Sequence, residues 1–127
     1  FLNWEELRKL HEKDSVTIGS HGLHHLTLTS LRPADARREV AESKRRIAAE
    51  LDGDVQYLSY PNGGFSARLE SLAAESGYDA AFKDGMSVRQ PNDRRYAVGR
   101  VAVTQGNASL EAFVTNLSAT APIHVVG

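Results

Sequence analysis

Three of the five histidines fall at positions 21–25, within Gly19-Ser20-His21-Gly22-Leu23-His24-His25. His21 and His25 are four apart, so one helical turn would set both imidazoles on the same side. Neutral imidazole is a good donor to zinc, cobalt, nickel or iron, and two such ligands leave room for a carboxylate and a water. His24 points away from that pair and reads as a neighbouring or supporting group. Residue chemistry alone leaves a blander reading open, in which histidines at a strand end simply satisfy their own polar groups. Asp or Glu would normally complete a metal site of this kind. Asp14 belongs at the opposite end of the preceding strand, and no acidic residue close to the cluster completes the set.

A second group of residues with chemical potential is Leu58-Ser59-Tyr60-Pro61-Asn62-Gly63-Gly64, again at a strand end. In a parallel α/β arrangement it shares a face with the histidines, where sites collect. Pro61 fixes the turn and the glycines permit close backbone approach. Tyr60 is a candidate platform for a sugar ring, and amides near Asn62 are candidates to stabilise an oxyanion. An ordinary strand-to-helix turn is the alternative.

The elements that must position these groups follow from periodicity. A helix is expected over residues 4–13, with Asn3 as N-cap and Glu6 completing a capping box. Residues 15–18 alternate as a short strand with Val16 and Ile18 on one face. Pro33 opens a second helix over 33–51, striped by Ala36, Val40, Ile47 and Leu51. Its many arginines and lysines are interspersed with Glu39, Glu42 and Glu50, the pattern of a solvated face. Strands are expected over 55–60, 78–82 and 96–103. A third helix, capped by Ser66, runs to residue 76. Residues 83–95 read as loop, 110–117 as a last helix, and 123–126 as a terminal strand or tail. Alternating strands and helices indicate a parallel sheet. Four or five strands are too few to close a β/α barrel.

The bulk numbers bound the partners. A chain of 127 residues fits one domain, and 41% apolar with 24% charged residues is a globular composition. A formal net charge of -1 provides no bulk attraction for phosphate backbones, so nucleic acid is not an expected partner. The absence of cysteine excludes disulfides, thiolate metal sites and cysteine nucleophiles within these residues. No apolar run approaches the roughly 20 residues that span a bilayer.

Taken together, the two motifs resemble the polysaccharide deacetylase family, also called the NodB homology domain. Ile18-Gly19-Ser20-His21-Gly22-Leu23-His24-His25 is similar to its His-(Ser/Thr)-x-x-His motif, with Gly22 in place of the hydroxyl residue that braces the loop. Asn3-Trp4-Glu5-Glu6-Leu7 matches a Trp-Glu-Glu-Leu approach, and Tyr60-Pro61-Asn62-Gly63 matches the Tyr-Pro-x-Gly of one subgroup. Gly77 to Phe82 and Arg100-Val101-Ala102-Val103 resemble later strands. The resemblance runs from Asn3 to Leu117. It implies a single partial domain over residues 1–127, the later portion of a truncated, distorted (β/α) barrel, with residues 119–127 as a non-core tail.

The resemblance also implies the chemistry. Family members remove acetyl groups from N-acetylated sugars with a divalent metal, zinc foremost and cobalt or nickel as alternatives. His21 and His25 inherit the ligand positions. Asn62 takes the place whose backbone amide polarises the acetyl carbonyl, Tyr60 lines the groove, and Arg100 orients a carboxylate. His124 is the only late candidate for the family's general acid, in a context that departs from the usual Leu-x-His-Asp-like form. The family's Thr-Phe-Asp-Asp motif, source of a base and a metal ligand, is expected before Trp4 and is absent from these residues. Asp14, Asp35, Asp52 and Asp79 stand in the wrong contexts to replace it. The expected partners are therefore an N-acetylated glycan and an amino-terminal segment or complementary chain that brings the aspartates. A noncatalytic carbohydrate-binding or scaffold role is the rival reading. The substrate points to the cell envelope or extracellular space, with the cytoplasm as the alternative.

Overall fold

The computed structural model of the chain describes residues 2–84, 94–100 and 109–111. Helix α1 spans Trp4–His11, and Asn3 and Glu6 form the reciprocal capping box: the Asn3 side chain accepts the Glu6 N–H at 2.9 Å, and Glu6 accepts the Asn3 N–H at 2.8 Å. Helix α2 spans Pro33–Leu51 and stops at Asp52, which adopts left-handed backbone angles. Strand β1 (Tyr57–Ser59), a 3-10 turn (Pro61–Gly63), helix α3 (Ala67–Glu75), strand β2 (Ala80–Asp84) and strand β3 (Val98–Arg100) follow. Ser66 caps α3 by accepting the Leu69 N–H.

The three strands pair in parallel in the order β1-β2-β3 and do not close into a barrel. The fold is thus the expected α/β arrangement around an open parallel sheet. On one side Leu58 and Ala81, paired across β1 and β2, meet Ala36 and Val40 of α2 and Leu69 and Ala73 of α3, all fully buried. Burying each large aliphatic side chain there contributes about 1.5–3 kcal/mol. The other side of the sheet carries Tyr57 and Phe82, whose rings meet edge to face at 6.1 Å. Helix α1 buries no residue fully and is held to α2 by the Arg8–Glu50 ion pair at 2.6 Å.

The segment expected as a strand over 15–18 is not one. Val16 and Ile18 do turn the same way, both half-buried between exposed neighbours. The backbone meets β1 only at Ser20, whose N–H donates to the Tyr57 carbonyl and whose carbonyl accepts the Ser59 N–H, both at 2.8 Å. A single bridge leaves the preceding residues extended but without a ladder. The end of the strand expected over 96–103, nearly all of the helix over 110–117, the tail from 119 and His124 lie outside the described residues.

Candidate metal centre

The parallel bridge at Ser20 decides where the histidines go. Two chains paired in parallel leave the sheet at the same end, so His21 and the turn after Ser59 emerge side by side at the carboxyl end of β1. Ser20 is buried, its hydroxyl 2.7 Å from that of Ser43 on α2. Ser43 donates to the Val40 carbonyl at 3.0 Å, so Ser20 is the donor of the pair.

His21 and His25 come together as the spacing predicts. Their ring centroids are 4.9 Å apart and the planes are inclined at 62°. His21 Nδ1 lies 2.8 Å from the Ser59 carbonyl oxygen. A carbonyl only accepts, so Nδ1 carries the proton and the lone pair of Nε2 is left for another partner, the arrangement typical of metal-binding imidazoles. The segment between them is not a helical turn. Gly22 has φ +78° and His25 has φ +57°, so a tight loop delivers both rings. Gly22 in place of a hydroxyl residue suits that loop. A Cβ there would sit 3.2 Å from Pro61 Cγ and 3.6 Å from Glu39 Oε2, on a backbone that L-residues seldom adopt.

Glu39 is the residue that sequence reasoning placed wrongly. It is not on the solvated face of α2 but buried, 2% exposed, against the histidine loop. Its Oε2 accepts the N–H of Leu23 at 3.0 Å and of His24 at 2.9 Å, and its Oε1 lies 2.6 Å from His24 Nδ1. Burial pushes the Glu39 carboxyl up, but the His24 side chain and the two backbone N–H groups together outweigh it. The carboxyl is left below its ordinary range. An acidic residue thus does stand beside the cluster, committed to His24 and the backbone. The signal was available: Glu39 and Ser43 lie on the same helical stripe as Ala36 and Val40.

The loop after β1 is knitted to the histidine segment. Asn62, exposed and with φ +55°, donates from Nδ2 to Thr27 Oγ1 at 2.8 Å. His25 and Asn62 are two of the three non-glycine residues with positive φ among the described residues, and such strain concentrates at functional sites. Tyr60 is not a groove residue. Its side chain is fully buried in the core, and its hydroxyl donates to the Tyr96 carbonyl at 2.8 Å, so no ring face is left for a sugar. A side chain one residue beyond β1 alternates back toward the helices, which is why it packs with Leu58.

Arg100, the last described residue of β3, stands at the same end of the sheet and holds a carboxylate, that of Asp84 on β2, at 2.8 Å. Asp84 lies over the Pro61–Gly63 turn so closely that a Cβ on Gly63 would fall 2.3 Å from the Asp84 Cβ.

The donor set fits a divalent metal at two positions. His21 and His25 supply adjacent imidazoles, one with its tautomer fixed by a carbonyl, as a borderline-soft ion such as zinc requires. Among the described residues no group of three His, Cys, Asp or Glu side chains completes the set. Nor is any described helix long and apolar enough to cross a membrane.

The polysaccharide deacetylase family model matches residues 2–81. The putative polysaccharide deacetylase YxkH of Bacillus subtilis (strain 168) is 28% identical over 102 residues, 80% of this chain and 37% of that protein. Among solved structures, the Streptococcus pyogenes deacetylase PplD in complex with acetate superposes with a TM-score of 0.84 at 16% identity, covering 95% of this chain and 51% of that one. IcaB from Ammonifex degensii gives 0.77 at 20% identity, covering 91% and 54%. The chain therefore spans about half, or less, of the length of these relatives.

Proposed function

The chain belongs to the polysaccharide deacetylase family, and from that premise we propose that it is the later part of a metal-dependent hydrolase that removes acetyl groups from an N-acetylated sugar polymer, such as a GlcNAc-containing glycan. The observation that carries this reading is the pair of imidazoles at the carboxyl end of β1, with His21 Nδ1 bonded to the Ser59 carbonyl. His21 and His25 hold the ion, zinc first and cobalt or nickel as alternatives. When bound, such an ion polarises an amide carbonyl and a water.

The remaining steps belong to the protein. The strained turn at Asn62 presents backbone amide to the acetyl oxygen as negative charge develops there. Arg100 orients a carboxylate at the same end of the sheet. His124 protonates the departing amine. The general base and a further metal ligand come from an aspartate pair supplied by an amino-terminal segment or a complementary chain. An N-acetylated polymer substrate places this work in the cell envelope or outside the cell.

Acetate release from an N-acetylglucosamine oligomer tests the reading. The parent polypeptide is expected to release acetate in a metal-dependent manner, and His21→Ala or His25→Ala to abolish it. The 127 residues alone are expected to be inactive. Metal-dependent release by this isolated chain would contradict the assignment of the base to another segment. The rival reading is a noncatalytic glycan-binding or scaffold protein on the same fold. Glycan binding by the parent without metal and without acetate release would select it.

A further inference from the structure

We propose that Glu39 is a positioning residue that holds the His21–His25 segment in its ligating shape. This rests on the reading of His21 and His25 as metal ligands. Both oxygens of a buried carboxylate, on the longest helix of the described structure, are given to the two residues that lie just inside His25. Two backbone N–H groups and one imidazole converge on it at 2.6–3.0 Å. Charge-assisted bonds of this kind are the strong ones, and a buried carboxylate that loses them is costly, so the contact is kept rather than exchanged with water.

The loop needs such a hold. It enters through Gly22 and leaves through His25, both with left-handed backbone angles, so it is not a segment of regular structure with a ladder of its own. The histidine rings are themselves exposed and receive little packing from the core. What fixes their backbone is the bridge at Ser20 on one side and Glu39 on the other. Groups held ready before binding spare the ordering cost at the moment of binding, and α2 is a rigid element from which to hold them. Glu39 hydrogen-bonds to Leu23 and His24 and not to the imidazoles of the ligand pair, so it acts through the loop between them.

Zinc ion alone, titrated against a competing chelator, measures the effect on the full 127-residue chain. Glu39→Ala is expected to weaken zinc about 10- to 100-fold, the range for supporting groups around a metal. Glu39→Gln, which keeps an accepting oxygen, is expected to lose less. Leu72→Ala, a core change on α3, lowers stability but is expected to leave zinc affinity unchanged. Nitrogen NMR of the imidazoles in the metal-free chain gives an independent readout: His21 is expected as a single Nδ1–H tautomer in the native chain and as a mixture in the folded Glu39 variants. Unchanged affinity in folded Glu39→Ala and Glu39→Gln, or an equal loss in Leu72→Ala, overturns the proposal while the metal reading stands. If the native chain binds no zinc, the metal reading fails, and an unchanged His21 tautomer in the variants then overturns the positioning role as well.

Discussion

His21 Nδ1 and the Ser59 carbonyl oxygen stand 2.8 Å apart, so an imidazole ties the histidine loop to the end of β1. The same bond that anchors His21 selects its tautomer. The second ring, His25, is delivered differently, by a backbone in the left-handed region at φ +57°. A non-glycine residue there costs about 1–2 kcal/mol.

That strain yields a prediction with opposed signs. His25→Gly removes the left-handed penalty together with an exposed side chain, while the added freedom of glycine in the unfolded chain takes back roughly 0.5–1 kcal/mol. Stability is expected to be unchanged or slightly higher, and metal retention to be lost. Chemical denaturation read alongside metal content checks both. A large loss of stability would show His25 to be a structural residue.

Gly63 lies under Asp84 with φ +66°, and an added Cβ would meet the Asp84 Cβ, Cγ and Oδ2 at 2.3–2.4 Å. Because the Asp84 Cβ is fixed to the strand, rotating the side chain cannot relieve the clash. Gly63→Ala is expected to cost about 2–4 kcal/mol, from backbone conformation and overpacking together. Thermal unfolding measures it. A change below about 0.5 kcal/mol would mean that the turn does not sit against β2 as described.

The tyrosines predict how stability responds to alkali. Burial raises the Tyr60 hydroxyl well above its ordinary value. It raises Tyr78 as well, against smaller lowering contributions from Ser20 and Ser43. A group whose folded pKa is raised stabilises the fold fully below its unfolded pKa and loses that contribution as pH climbs toward the folded one. Stability is therefore expected to fall above about pH 10, by up to ~1.4 kcal/mol per pH unit for each of the two. Denaturation midpoints on either side of that pH, in the native chain and in Tyr60→Phe, check it. The variant is expected to show the shallower slope. Equal slopes would contradict the burial of Tyr60.

Local signals carried much of the fold. The capping box at Asn3 and Glu6, Pro33 opening α2, and Ser66 capping α3 are hydrogen-bond devices written in adjacent residues, and all three stand where the sequence placed them. The approach of His21 to His25 was legible because four residues of chain limit how far apart they can be. Tertiary pairing was not. Residues 15–18 alternate like a strand, yet a strand requires a neighbour, and the backbone meets β1 only further on, at Ser20 opposite Leu58. Tyr60 read as a sugar platform because aromatic rings near turns invite that reading; its place depends on the core it fills, with the Tyr96 carbonyl accepting the hydrogen bond of its hydroxyl. Glu39 was assigned to solvent by its charge, although its position on the buried stripe argued otherwise. Only the fold reveals that three donors from a distant loop wait for it.

Retained zinc in the purified chain, after loading with excess metal and dialysis, tests the central claim most directly, with His21→Ala alongside. The account predicts that the native chain keeps zinc and the folded variant loses it. Zinc absent from the native chain, or held equally by His21→Ala, would contradict a metal centre built on His21 and His25.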